Sequence, residues 1–80
     1  MSTILTKQII KILAELERPV LLNSLFRMQT ATKHEARLGL LLRDLEDKRL
    51  INSINTSKNF YIQYQITPTG MEYYENEVKQ

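Results

Sequence analysis

The sequence predicts one α+β domain with the element order helix, helix, helix, strand, strand, helix. Leucine and isoleucine recur at helical spacing through the first half of the chain, whereas apolar and polar residues alternate from Phe60 to Thr67. Pro19 and Pro68 stand where one helix must end and another can begin. Because 80 residues supply only one hydrophobic core, residues 1–80 are expected to form a single domain.

Composition limits the classes of protein to consider. The chain is 42% hydrophobic and 25% charged, which is typical of folded domains and not of disordered chains. It has no cysteine, so disulfides and thiolate metal sites are excluded and a reducing cytoplasm is the expected compartment. No apolar run approaches the roughly 20 residues that span a bilayer, and the N-terminus lacks the pattern of a signal peptide.

The first helix is predicted over residues 3–17, where an apolar stripe recurs every three or four residues. Pro19 ends it, because the residue before a proline avoids the helical conformation. Ile4 and Ile10 lie off the stripe and are expected either to widen the core face or to enter a subunit contact. The stripe itself consists of Leu5, Ile9, Ile12, Leu13 and Leu16.

The segment after Pro19 predicts a short strand and then a short helix. Residues 20–22 are apolar and are expected to pair as an edge strand against the later hairpin. Asn23 is the expected cap of a second helix over residues 24–29. A turn over residues 29–32, which contains no glycine, leads into the third helix.

The third helix has the clearest start signal in the chain. Thr32 and Glu35 form a capping box, in which each side chain accepts a hydrogen bond from the backbone N–H of the other residue. The helix is expected over about residues 33–48, and a helical wheel separates it into two faces. The apolar face holds Ala31, Leu38, Leu41, Leu42 and Leu45, and the opposite face holds Lys33, Ala36, Arg37, Leu40, Arg43 and Asp47.

A β-hairpin and a final helix complete the predicted fold. Residues 50–54 and 60–67 read as strands around the polar turn 55–59. Thr67 can cap the last helix, with Pro68 at its first position. The apolar residues of this tail are Met71, Tyr73, Tyr74 and Val78.

Two segments resemble those of winged helix-turn-helix regulators. Residues 38–51, Leu-Gly-Leu-Leu-Leu-Arg-Asp-Leu-Glu-Asp-Lys-Arg-Leu-Ile, are similar to the end of the recognition helix and the entry to the first wing strand. Residues 64–70, Tyr-Gln-Ile-Thr-Pro-Thr-Gly, resemble the strand that ends in Leu-Thr-x-x-Gly. The resemblance covers residues 4–75 and implies a three-helix core with a β-hairpin wing and a C-terminal helix. MarR-like, PadR-like and short phage or plasmid regulators look similar.

Three positions depart from the family pattern. Arg49 stands where many relatives have glycine. Gly39 and Leu40 stand where many relatives carry serine and arginine. The wing turn contains one cation, Lys58, where strong wing binders often have two or three. These differences bear on DNA affinity more than on the fold.

The resemblance also implies a function, as a small transcriptional regulator. In such a fold the third helix enters the major groove of double-stranded DNA, and the wing lies on the flanking minor groove or backbone. Lys33 and Arg37 are expected at base edges or phosphates, Arg43 at the backbone, and Thr30 and Thr32 at phosphates. Leu40 is expected at a thymine methyl or in a protein contact. The predicted DNA-binding residues are Thr30, Thr32, Lys33, Arg37, Leu40, Arg43, Lys58 and Asn59.

The distribution of charge agrees with this assignment. The net charge is only +2, but residues 27–43 contain four cations and one acid. Residues 68–80 contain three acids and one cation. A positive segment at the start of the third helix is what a phosphate-facing surface requires, although a solvated helix face of mixed charge is the simpler alternative.

A homodimer is expected, because the tail and the first helix carry more apolar surface than one small core needs. The predicted interface residues are Ile4, Ile10, Met71, Tyr73, Tyr74 and Val78. A rival function is that of a winged-helix adaptor that binds protein and not DNA. The low net charge, the outward Leu40 and the weakly basic wing favour the adaptor.

The residues do not predict an enzyme, a metal site or a cofactor. His34 is the only histidine, and the wheel places it on the apolar side of the third helix as a half-buried structural residue. One histidine without cysteine or clustered carboxylates cannot complete an ordinary zinc site. The serines have no evident His–Asp partners, and only two glycines are present, so a catalytic triad and a glycine-rich phosphate loop are not expected.

Overall fold

Helices and strands follow one another in the order that the sequence predicts. The computed structural model describes residues 3–55 and 61–79. Its helices are α1 (Thr3–Leu16), α2 (Leu22–Met28), α3 (Glu35–Asp47) and α4 (Pro68–Tyr73), the last of which continues into a π-helical turn (Tyr74–Val78). Its strands are β1 (Val20–Leu21), β2 (Ile51–Asn55) and β3 (Ile62–Ile66). The predicted α+β class is therefore confirmed.

The strands form an antiparallel sheet in the order β1-β3-β2. Val20 pairs with Tyr64 on one side of β3, and Ser53 pairs with the same tyrosine on the other side. The predicted pairing of the run after Pro19 with the hairpin is confirmed. β3 is therefore the central strand, and it ties the helical half of the chain to the hairpin.

The core lies between α1, α3 and the sheet. Ile10 is fully buried, so its expected place in a subunit contact is wrong. The reason is that α1 packs against both β3 and the π-helical turn, which covers a wider face than one stripe. The buried apolar residues are Leu5, Ile9, Ile10, Leu13, Ala14, Val20, Leu25, Leu38, Leu41, Leu42, Leu45 and Ile51.

The start of α2 differs from the prediction. The helix begins at Leu22, directly after β1, and Leu21 occupies the cap position without a side-chain hydrogen bond. Asn23 therefore lies inside the first turn and is not the cap. Burial of Leu25 in the core fixes this helix where a polar cap does not.

The predicted capping box of α3 is also wrong. The helix begins at Glu35 with His34 in the cap position. The Thr32 hydroxyl accepts a hydrogen bond from the His34 backbone N–H at 3.2 Å instead of from Glu35. His34 is exposed and not half-buried, and Ala31 is likewise exposed, because both residues precede the helix.

Arg49 ends α3 in the left-handed conformation, with φ at 62°. Its N–H donates to the Glu46 carbonyl at 2.9 Å, and the Leu50 N–H donates to the Leu45 carbonyl at 3.0 Å. These two hydrogen bonds are those of a Schellman motif, whose left-handed position favours glycine. Arg49, which stands where many winged-helix proteins have glycine, is therefore the residue of this turn that needs a positive φ.

Thr67 joins the end of β3 to both α4 and the turn after α3. Its hydroxyl donates toward the Arg49 carbonyl at 2.7 Å and accepts from the Gly70 N–H at 2.9 Å. Its predicted role as a cap, with Pro68 next to it, is confirmed. A Cβ on Gly70 would collide with the Leu50 carbonyl oxygen and lie 2.6 Å from Ile66 Cγ1, so this contact requires glycine.

The predicted hairpin is found with slightly shifted bounds. β2 begins one residue later than expected, and the described part of the return strand starts at Ile62. Lys58, Asn59 and Phe60 lie outside the described residues. None of the described helices has the length and apolar character needed to cross a membrane.

Candidate nucleic-acid interface

The turn between α2 and α3 is organised by the side chain of Gln29. This residue is 5% exposed, and its amide Nε2 donates to the carbonyls of Phe26 and Thr32 at 2.9 and 2.7 Å. Its Oε1 accepts from the backbone N–H groups of Ala31 and Thr32, both at 2.9 Å. This turn contains no glycine, and the Gln29 side chain stabilises it by satisfying its backbone polar groups directly.

A second glutamine holds the same turn against α1. The Gln8 Nε2 donates to the Thr30 hydroxyl at 2.8 Å, and the Thr30 N–H donates to Gln8 Oε1 at 2.8 Å. This reciprocal pair connects residues that are far apart in sequence. Thr30 and Thr32 both accept an internal hydrogen bond through the hydroxyl oxygen, which leaves the hydroxyl proton for an outside acceptor.

The turn carries cations that face solvent. Lys33 and Arg37 are exposed, as are Arg27 at the end of α2 and Arg43 on α3. Within residues 3–55 and 61–79, none of the four forms an ion pair. Lys33 precedes α3 instead of lying in it, but it still faces away from the leucine core. Both expected base-contacting residues are therefore accessible to solvent.

Asp44 and Glu46, in the second half of α3, are held by internal contacts. Asp44 pairs with Lys48 at 3.0 Å, one turn further along the helix. Glu46 Oε2 accepts from the Ser53 hydroxyl at 2.6 Å, which joins α3 to β2. Burial, and then the nearby Glu46 carboxylate, raise the pKa of Tyr64 on the adjoining strand. The negative charge of α3 is thus concentrated where the helix meets the hairpin.

Leu40 is the outward-facing leucine of α3. Its side chain is 68% exposed, whereas Leu38, Leu41, Leu42 and Leu45 are buried. The predicted assignment of leucines to the two faces of the helix is therefore confirmed. A Cβ on the neighbouring Gly39 would meet no atom within 4 Å, so the surface beside Leu40 is open.

The expected dimer residues have different surroundings from one another. Ile4 is 67% exposed. Tyr73, Tyr74 and Val78 are half-buried and pack against the core of the same chain. The Tyr74 hydroxyl also donates to Glu15 Oε2 at 3.4 Å. Much of the apolar surface of the tail is therefore used within one subunit, and Ile4 with the half-buried Met71 is what remains.

Sequence reasoning missed the structural roles of Gln8, Gln29 and Glu46. The signal for Gln29 was available, because a turn without glycine needs side chains to satisfy its backbone groups. Glu46 and Gln8 have partners more than five residues away, so the local pattern does not reveal them. Lys58 and Asn59, the predicted wing contacts, lie outside the residues that the structure describes.

Comparison of the chain with known proteins identifies no relative. No family model, curated protein or solved structure matches the chain. In the part of the chain that the structure describes, no cluster of three histidine or acidic residues could hold a metal ion. The function is therefore inferred from the geometry of the turn between α2 and α3.

Proposed function

We propose that this chain is a winged helix-turn-helix domain that binds double-stranded DNA in a sequence-specific manner as a small transcriptional regulator. The observation that carries the proposal is the pair of exposed cations, Lys33 and Arg37, which have no internal ion-pair partner among the described residues. Cations that the fold does not neutralise are available to phosphates and base edges.

The topology supports the same proposal. α2 and α3 are joined by a fixed turn, and a hairpin follows α3 in a sheet that β1 closes on the other side. This is the element order expected of a winged helix, with α3 as the helix that enters the major groove. The wing, residues 55–59, would then approach the flanking groove or backbone through Lys58 and Asn59.

Individual residues take roles that follow from their position. Arg37 lies in the first turn of α3, where a guanidinium can bond the O6 and N7 atoms of guanine. Lys33 precedes the helix and reaches either a base edge or a phosphate. The hydroxyl protons of Thr30 and Thr32 are directed to phosphate, and Arg43 contacts the backbone further along.

The domain acts as a homodimer in this proposal. Ile4 near the N-terminus of α1 is the most exposed apolar residue expected at the interface. Two α3 helices would then meet half-sites about one turn of DNA apart. Sedimentation at tens of micromolar should give twice the monomer mass, and Ile4→Glu should return the monomer; a monomeric wild type contradicts the dimer without affecting the DNA proposal.

Selection from random duplexes, followed by fluorescence anisotropy at several salt concentrations, tests the function. We expect an enriched motif and an affinity that falls steeply with salt, because each neutralised phosphate releases counterions. Failure to bind any duplex at low salt overturns the proposal.

The exposed Leu40 favours the protein adaptor as a second candidate. Loss of a protein partner on Leu40→Asp, with no duplex binding under any condition, would establish that function instead.

A further inference from the structure

The side chain of Leu40 projects from the middle of the face that carries the cations. It is 68% exposed, on a helix whose other leucines are buried. A single exposed leucine is ordinary on a protein surface and by itself indicates nothing. Its neighbours on α3 are what make this one informative.

The residues around Leu40 leave it as the most protruding apolar group on this face. Ala36, one turn before it, is exposed and ends in a methyl group, and Gly39 has open space where a side chain would be. Arg37 and Arg43 lie three residues before and after it, and both are exposed. Residues three apart on a helix are neighbours, so the isobutyl group stands between two guanidinium groups.

The charge around Leu40 selects the kind of partner. Neither Arg37 nor Arg43 has an ion-pair partner in the described residues, so an uncharged apolar protein groove would cover both cations without neutralising them. The major groove of DNA offers phosphates for both cations and an apolar group for the leucine. That apolar group is the C5 methyl of thymine, which has no counterpart on the other three bases.

We infer that Leu40 is a specificity-determining residue that contacts a thymine methyl, so that the preferred duplex has thymine opposite the centre of α3. This inference rests on the proposed DNA-binding function. Ala36 and Gly39 allow the helix backbone to approach the base edges closely, because neither has a side chain longer than a methyl group. Arg37, one turn nearer the start of the helix, bonds the adjacent guanine.

Deoxyuridine substitution tests the contact, since uracil keeps the pairing and hydrogen-bonding groups of thymine and lacks only the methyl. In the selected duplex each thymine is replaced singly, and Kd is measured for the wild type and for Leu40→Ala. We expect one position per half-site at which the wild type loses about fourfold in affinity, which is the value of one buried methyl-sized group. Leu40→Ala should bind both probes equally, with its melting temperature unchanged.

The outcomes separate this inference from the function that it rests on. Duplex binding that is insensitive to every deoxyuridine overturns the thymine contact and leaves the DNA-binding proposal intact. Sensitivity that persists in Leu40→Ala overturns the assignment to Leu40. Absence of duplex binding by the wild type at low salt overturns the DNA-binding function, and the thymine contact with it.

Discussion

The two ends of α3 use their charged and polar residues in opposite ways. At the C-terminal end, Asp44 pairs with Lys48, Glu46 holds Ser53, and the turn at Arg49 is fixed by a Schellman motif. At the N-terminal end, buried glutamine contacts fix the backbone, and the cations face solvent without ion-pair partners in the described residues. The C-terminal end of α3 is therefore held by internal contacts, and we call it the anchored end. The cations at the N-terminal end face solvent.

Substitutions at the two glycines of the chain are expected to give the largest difference in the free energy of unfolding. Gly70→Ala should destabilise the fold by about 3 kcal/mol, because the added Cβ collides with the Leu50 carbonyl just beyond the anchored end. Gly39→Ala should stabilise it by about 0.5–1 kcal/mol, since alanine is the better helix former and the site is open. Urea unfolding of both variants measures the difference, and equal free energies of unfolding would contradict the contact at Gly70.

The turn at the N-terminal end provides the next largest effect. Gln29→Ala removes four hydrogen bonds and leaves partly buried backbone groups without these partners, so we expect a loss of about 2 kcal/mol. Gln8→Ala is the matched control, because its two hydrogen bonds to Thr30 are exposed and should contribute less than about 1 kcal/mol. Thermal unfolding of the two variants compares them. A Gln29→Ala protein as stable as the control would show that the turn does not depend on this side chain.

Charge removal at the N-terminal end should affect binding and not stability. Lys33→Ala and Arg37→Ala should each weaken duplex binding about tenfold, within the 1–3 kcal/mol range of a lost base contact. Arg18→Ala removes one cation beside Gln65 and Met71, on a different part of the domain, and should leave affinity nearly unchanged. Anisotropy titrations at one salt concentration measure all three. Equal affinities across the set would mean that the groove face is assigned wrongly.

Near the anchored end, Tyr64 is expected to make the stability of the fold depend slightly on alkaline pH. Burial and then Glu46 raise the pKa of Tyr64 in the folded state, whereas the unfolded chain loses that proton at its ordinary value near 10. The contribution of Tyr64 to stability should therefore be complete below about pH 10 and be lost as the pH rises further, because the unfolded state releases the proton first. Tyr64→Phe should remove this part of the alkaline decline, and Glu46→Gln should reduce it. A decline unchanged by Tyr64→Phe would exclude the tyrosine as its source.

The core and the start of α4 could be predicted from the sequence, whereas the starts of α2 and α3 could not. The leucine faces of α3, the pairing of β1 and the Thr67 cap follow from periodicity and local chemistry, and each is confirmed. The caps at Asn23 and Thr32 are wrong, because α2 starts directly from β1 and because Gln29, a residue outside the capping box, binds the backbone of Thr32. Burial of Ile10 was open to two interpretations, since one helix pattern does not show how many elements cover it.

The candidate site divides in the same way. Exposure of Arg37 and Leu40 follows from the wheel that separates them from the leucines, whereas Lys33 is exposed although it precedes the helix. The internal hydrogen bonds of Thr30 and Glu46 depend on residues that the fold brings together, whereas those of Thr32 are local. What a surface binds is not encoded in its exposure, so the DNA contact and the dimer stay predictions.

A titration of the ¹⁵N-labelled domain with the selected duplex, followed by two-dimensional NMR, tests the central claim most directly. We expect the largest amide shifts at residues 30–43, around Lys33, Arg37 and Leu40, and small shifts in α4 and the π-helical turn. Shifts concentrated in α4, or an unchanged spectrum at low salt, would contradict the assignment of this face to DNA.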